Sequence, residues 1–276
     1  MQNIVPEQIL YYLKKQNQTD YAFLVYQNTV YFAQNIVTND SPLTAVTKLI
    51  QGISEQYKDN AHSILRKKIY TSYFPTNKCL GMIKVAAKRF AYLSSSQTNL
   101  FPIPFEIIEI KYSIHYEINN DIKEFLHGLM LKNSKECMQA ALALKEKVTI
   151  KNSLALSDRK IAAILVDENY NVLAYGLNSN AKNRTRHAEI DLIYRFYNQN
   201  KKKLPKNSKL FITLKPCIMC SNMITECAED IVNIKVYYFE KDNGTFSKKT
   251  TLDSEIKCSL ASKTSSSILE HLYLLN

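Results

Sequence analysis

The sequence predicts an α/β layer fold, and two observations carry that expectation. Short runs rich in β-branched and aromatic residues alternate with segments whose apolar residues recur at helical spacing. The order strand, turn, strand, helix, strand, proline, helix, strand then occurs twice along the 276 residues.

The first series opens at Pro6–Lys15, where a proline at a helix start precedes Ile9, Leu10 and Leu13. Tyr21–Ala33 fits two strands around a turn at Gln27-Asn28. Pro42–Tyr57 is helical, with Leu43, Val46, Leu49, Ile50 and Ile53 in register. Lys68–Phe74 is a β-branched and aromatic strand, a helix follows Pro75, and Phe90–Leu93 is a short strand. Ser94–Pro104 is polar and then proline-punctuated, the best linker candidate, and Phe105–Ile118 is strand-like.

The second series begins at Asn133–Val148, a helix capped by Ser134 with Met138, Ala141, Leu142 and Leu144 on its apolar face. Lys160–Val166 is a buried-type strand, Asn169-Tyr170-Asn171 a turn, and Val172–Tyr175 the returning strand. Ala188–Tyr197 is helical, Ser208–Leu214 a strand, Ile218–Ala228 a helix and Ile234–Phe239 a strand.

The two series align at an offset near 142 that shortens by about two residues along the way. Asn35 falls on Asn178, Leu49-Ile50 on Leu192-Ile193, Pro75 on Pro216, Cys79 on Cys220, and Met82-Ile83 on Met223-Ile224. An internal duplication therefore predicts two domains, residues 1–115 and 116–276. The alternative for the first is an unrelated α/β accessory domain.

Composition bounds the possibilities. Hydrophobic residues at 46% exclude wholesale disorder, and only 5 Gly and 7 Pro exclude collagen-like or linker-dominated chains. No run of about 18 apolar residues occurs, so no membrane partner is expected. The start, MQNIVPEQILYYLKK, has its lysines after the apolar residues and no small-residue cleavage site; a cytoplasmic rather than secreted chain is expected. The net charge of +11 points weakly to a polyanion, and it is uneven. Residues 182–215 carry ten Lys or Arg against Glu189 and Asp191. Lys182, Arg184 and Arg186 immediately precede His187, while Lys201, Lys202, Lys203, Lys206 and Lys209 precede a later strand. A solvated lysine-rich loop is the plainer account of the latter group.

Six cysteines in a chain of this size do not make a disulfide framework. Only Cys217 and Cys220 form a C-x-x-C pair; Cys79, Cys137, Cys227 and Cys258 are expected to be packing residues, and His62, His115, His127 and His271 have no partner at ligand spacing. His187-Ala188-Glu189 followed by Pro216-Cys217-Ile218-Met219-Cys220 matches the zinc deaminase pattern H-x-E…P-C-x-x-C. Zn²⁺ favours thiolate and imidazole donors in tetrahedral geometry. Cys217 and Cys220 at the start of a helix can reach one ion, and the helix end favours their thiolate forms. His187 at the start of another helix is the third ligand, leaving a fourth position for water. Glu189, two residues on, can face the same cavity and move protons between the attacking water, the ring nitrogen and the departing amine.

These residues resemble the cytidine deaminase-like superfamily, with the nearest likeness to its tRNA adenosine deaminase branch. The similarity spans roughly Ser134–Phe246, including Gly176-Leu177-Asn178, the HAE box, Thr213–Cys220 and Val236–Phe239. It implies a three-layer fold, a mixed five-stranded sheet with helices on both faces, here duplicated. It implies a Zn²⁺ cofactor and a purine contact for Asn178, while the basic residues just before His187 lead to an expectation of phosphate contacts for Arg184 and Arg186. The branch commonly has an acidic residue where this chain has Lys215, and a basic C-terminal helix where this chain has the largely apolar Ser265–Leu275. The implied reaction is adenosine to inosine in tRNA or other single-stranded nucleic acid, with a free nucleobase or nucleoside deaminase (guanine, cytosine or adenine) as the alternative. A binding protein with a structural zinc is the third reading. On the internal alignment His187-Ala188-Glu189 falls on Thr44-Ala45-Val46 and Cys217 on Thr76. The resemblance then implies a degenerate first domain lacking the zinc set, forming an intrachain pseudo-dimer, with a homodimer equally open.

Overall fold

The computed structural model describes residues 6–35, 40–87, 89–94, 105–114, 120–148, 159–178, 183–254 and 258–260. The linker beyond Ser94, His115, Lys182, His271 and the stretch Ser265–Leu275 lie outside them. The chain divides into two units: Met1–Ser113 with Lys182–Thr185, and Ile114–Ala181 with Arg186–Asn276. Among the described residues no helix is long and apolar enough to cross a membrane.

The first unit runs α1 (Pro6–Gln16), β1 (Tyr21–Tyr26), β2 (Thr29–Gln34), α2 (Ala45–Gln56), α3 (Ala61–Leu65), β3 (Ile69–Thr71), α4 (Asn77–Ala86), β4 (Phe90–Tyr92) and β5 (Glu106–Glu109). Gln27 takes a positive φ of 55° in the tight turn between β1 and β2. The sheet order is β4-β3-β1-β2-β5. Strand β1 is antiparallel to β2 and β3, β3 is parallel to β4, and β2 is parallel to β5. Ile9, Leu10 and Leu13 of α1 pack with Tyr21, Phe23 and Val30. Alternation along the strands sends Ala22 and Leu24 to the other face, and α2 packs against β1 and β2.

The second unit runs α5 (Asn120–His127), α6 (Ser134–Glu146), β6 (Ala162–Val166), β7 (Val172–Leu177), α7 (Ala188–Asn200), β8 (Lys209–Leu214), α8 (Ile218–Cys227), β9 (Lys235–Glu240), α9 (Thr251–Ser254) and β10 (Cys258–Leu260). Its mixed five-stranded sheet has the order β10-β9-β8-β6-β7. Strand β6 is antiparallel to β7 and β8, and β8, β9 and β10 are parallel. Ala162, Ile164, Val166 and Phe211 meet Cys137, Met138, Ala141 and Leu144 of α6, together with Ile122 and Leu126 of α5. Burial pushes the Cys137 thiol up to about 12, which suits an inert packing residue. Helix α7 covers β7 on the opposite face. Gly176 permits its close approach, because a Cβ there would strike the Ala188 carbonyl and the Leu192 amide.

Four strands of each unit therefore share one order and one set of directions, with β1, β2, β3 and β4 standing where β6, β7, β8 and β9 stand. Even the connecting hydrogen bonds recur: Tyr21 N–H donates to Ser72 Oγ at 2.8 Å and Ala162 N–H to Thr213 Oγ1 at 3.1 Å. The fifth strands differ, since β5 joins the β2 edge and β10 the β9 edge.

Two sequence expectations are corrected. The cap of α6 is Asn133, not Ser134: Asn133 keeps an extended backbone and its Oδ1 accepts from Lys135 and Glu136 N–H. The strand expected over Phe105–Ile118 is only Glu106–Glu109 within the described residues.

Candidate metal centre

The site forms where two helix starts meet in the second unit. Cys217 is the residue just before α8, and His187 the residue just before α7. Both have the extended backbone of an N-cap, a position where serine, threonine, aspartate and asparagine usually bond the first turn. Neither side chain does so. Instead they converge with Cys220, one turn into α8. His187 Nδ1 lies 3.6 Å from Cys217 Sγ and 3.5 Å from Cys220 Sγ, and the sulfurs are 3.6 Å apart.

Zinc bonds of about 2.0–2.1 Å to nitrogen and 2.3 Å to sulfur in a tetrahedron place donor atoms about 3.6–3.8 Å apart. The triangle fits that ion in spacing and in donor chemistry, and it is the one such cluster of three found among the described residues. The hydrogen bond from Cys220 holds the Cys217 thiol well below its ordinary range, with His187 adding to the effect against burial. Burial and the neighbouring Cys217 push Cys220 the other way.

Glu189 sits in the first turn of α7 and is buried. Burial pushes its carboxyl up to about 7, against the pull of His187. Asn178 follows the end of β7. Its N–H donates to Ile161 O and its Nδ2 to Arg159 O, each at 3.0 Å, while Oδ1 is buried with no hydrogen-bond partner among the described residues. Arg184 is exposed, in a segment that belongs to the first unit. Its neighbours Asn183 and Thr185 are buried there, and Asn183 Nδ2 donates to Gln51 Oε1.

Arg186 is held differently. Its guanidinium meets Asp191 Oδ1 at 3.1 Å, and Arg195 Nε meets Asp191 Oδ2 at 2.7 Å. In the sequence Asp191 and Arg195 stand only as charges in the basic stretch, with no role assigned. The available signal was their spacing of four along one helix. Lys215 pairs with Asp253, and Lys209 bonds Glu168 O and lies over the Tyr170 ring. Lys202 and Lys206 are exposed.

The corresponding place in the first unit is built from hydroxyls. Thr44 and Thr76 are the N-caps of α2 and α4, the positions of His187 and Cys217. Thr44 Oγ1 lies 3.1 Å and Thr76 Oγ1 3.5 Å from Cys79 Sγ, and the Tyr73 hydroxyl lies 3.9 Å from the same sulfur. Tyr73 also accepts from Val46 N–H at 3.3 Å, and Val46 stands where Glu189 stands. One thiol among hydroxyls is not a zinc donor set.

Residues 152–263 match the family model of Bd3614-like deaminases. No curated protein matches the chain. Among solved structures, a tRNA deaminase that edits A to I at the wobble position is 27% identical over 39% of this chain and 77% of its own, with a TM-score of 0.31. The dCMP deaminase of cyanophage S-TIM5 is 23% identical over 46% of this chain and 95% of its own, with a TM-score of 0.34. A guanine deaminase from Nitrosomonas europaea is 13% identical over 54% and 87%, with a TM-score of 0.41. The matched segment is similar to deaminases of the cytidine deaminase-like superfamily. None of these identities or scores fixes a substrate.

Proposed function

We propose that the second unit is a zinc-dependent deaminase that converts adenosine to inosine in tRNA or another nucleic acid, in the cytoplasm. The observation that carries this is the His187, Cys217 and Cys220 triangle beside the buried Glu189. His187 and the two cysteines would hold the zinc. When bound, it supplies a Lewis acid and lowers the pKa of a water at its open position to about 7. Glu189 carries one proton of the attacking water to the ring nitrogen and the other, once the oxygen has bonded to the ring carbon, to the departing amine. The amine leaves as ammonia and the base keeps the oxygen. Asn178 Oδ1, an acceptor without a partner among the described residues, receives a hydrogen bond from the base, because a buried polar atom left unpaired costs about 1–3 kcal/mol. Arg184 is the cation we assign to a phosphate.

The first unit, in this proposal, is a degenerate deaminase domain that keeps the fold and has lost the donor set. The shared order of four strands and the matching helix caps support it.

A second reading, deamination of a free nucleobase or nucleoside, is favoured by one observation: Arg186, Arg195, Lys209 and Lys215 are all committed within the protein. One experiment separates the two. The chain is incubated with total RNA, which is sequenced for A-to-G and C-to-T changes, and in parallel with free bases while ammonia is measured. A-to-G changes establish the first reading, C-to-T changes move the substrate to cytidine, and turnover of free bases alone establishes the second.

A further inference from the structure

We propose that Asp191 is a positioning residue that ties the base-contacting end of β7 to the metal-bearing start of α7. The inference rests on the deaminase reading. The Asp191 carboxylate is 3% exposed and takes hydrogen bonds from three directions. Oδ2 accepts from Leu177 N–H at 3.2 Å and from Arg195 Nε at 2.7 Å, and Oδ1 accepts from Arg186 Nε at 3.1 Å. Leu177 directly precedes Asn178, and Arg186 directly precedes His187. One carboxylate thus clamps the residues beside the proposed base contact and beside the first metal ligand. Arg195 extends the clamp to β7 through the Tyr175 hydroxyl at 3.3 Å, with its guanidinium 4.7 Å from that ring's centre.

The clamp is not what the fold needs, and the molecule contains its own control. The positions matching Leu177, Arg186, Asp191 and Arg195 in the first unit are Gln34, Leu43, Lys48 and Gly52. That unit forms the same order of four strands and starts its helix at the matching position with none of the three charges. At the corresponding point the polarity is reversed, with Lys48 Nζ donating to Gln34 O at 3.3 Å. Burying one carboxylate between two guanidiniums is also a poor route to stability, because desolvation offsets most of the attraction. What separates the two units is the metal donor set, and the clamp goes with it. Partners that orient metal ligands typically change metal affinity or activity 10–100-fold when lost.

The test uses the full chain and Asp191→Asn, which keeps the shape and removes the charge. Three quantities are measured: zinc affinity by chelator competition, kcat and KM separately on whichever substrate the wild type turns over, and Tm. The expected result is at least a roughly tenfold loss in zinc affinity, or in kcat at saturating zinc. Arg186→Leu, which installs the first unit's residue, should reproduce the loss, and the double variant should be no worse than the single ones. A lower Tm with zinc affinity, kcat and KM all unchanged overturns the proposal and leaves a purely structural ion pair. Should Asp191→Asn fail to fold, Arg186→Leu is judged by the same criteria. Should the wild type deaminate nothing, the functional reading falls, and zinc affinity still decides the role of Asp191.

Discussion

Replacing Gly176 with alanine is expected to damage the metal site from behind. The added Cβ would lie against the Ala188 carbonyl oxygen and the Leu192 amide, and 2.8 Å from Leu192 Cβ. Two of these three obstacles are helix backbone, so no rotamer change makes room; β7 and α7 must part. Overpacking costs about 1–3 kcal/mol, and a backbone obstacle puts this case near about 3. In a unit of this size each kcal/mol lowers Tm by about 2–4 °C, giving a drop of about 6–12 °C. Ala188 lies between His187 and Glu189, so the movement reaches both. Because ligands must be held within about 0.5 Å, zinc affinity should fall as well. Thermal unfolding of metal-free protein and chelator competition measure the two effects. A Gly176→Ala protein within about 1 °C and about twofold of wild type would refute the reasoning. The first unit supplies a contrast: the matching residue is Ala33, fully buried in β2, so Ala33→Gly should lose only about 1 kcal/mol.

Three further outcomes are expected. Glu189→Gln should lower kcat by about 10²–10⁴-fold while metal analysis still finds zinc; wild-type turnover in that variant would remove Glu189 from the chemistry. Wild-type protein should carry one zinc per chain, and Cys220→Ala should carry almost none, because the Thr44, Thr76 and Cys79 cluster lacks the donors; a second equivalent bound in the first unit would contradict its degenerate status. Asp242 is pushed up by burial but held below its ordinary range overall by Ser247, the Gly244 N–H and Arg159. Its contribution is therefore present above the unfolded carboxylate pKa of about 3.9 and fades as pH falls through the lower folded value. Asp242→Asn should destabilise the protein by about 1 kcal/mol at neutral pH and converge with wild type in acid; a gap that persists at low pH would show that the loss is not electrostatic.

Local patterns made most of the elements legible. The hairpins, α2, α7 and α8 follow from spacing and caps that operate within a few residues. The candidate metal donors were legible for the same reason: a C-x-x-C pair at a helix start and a His two residues from a Glu are local signatures. What escaped was non-local or short. Strand β10 is three residues pairing in parallel with β9, and a parallel partner leaves no turn signature. Nothing in Glu106–Glu109 says that it joins the β2 edge rather than the β4 edge. Among the side chains described, helix α5 offers Ile122 and Leu126 as buried residues, too few to establish a period. Asp191 resembles any acid in a first helical turn, where the helix dipole alone would justify it. Only the folded geometry brings Leu177 and Arg186 to its oxygens.

The two units together separate what the fold requires from what the chemistry requires. A threonine suffices to begin α2, as Thr44 shows with its bond to Thr47 N–H and the return bond to its own N–H. His187 at the matching position gives up that capping bond, which typically costs about 1 kcal/mol, and places an imidazole nitrogen within 3.6 Å of two sulfurs. Glu189 likewise buries a carboxylate where the first unit has Val46. Each of these choices is unfavourable for folding alone, and they fall together in one unit at one point. Drift would scatter such losses; their concentration around the three candidate donors is what the proposed catalytic function predicts. In the first unit, the same point holds a capping box, a buried thiol and a tyrosine hydroxyl that takes the Val46 N–H.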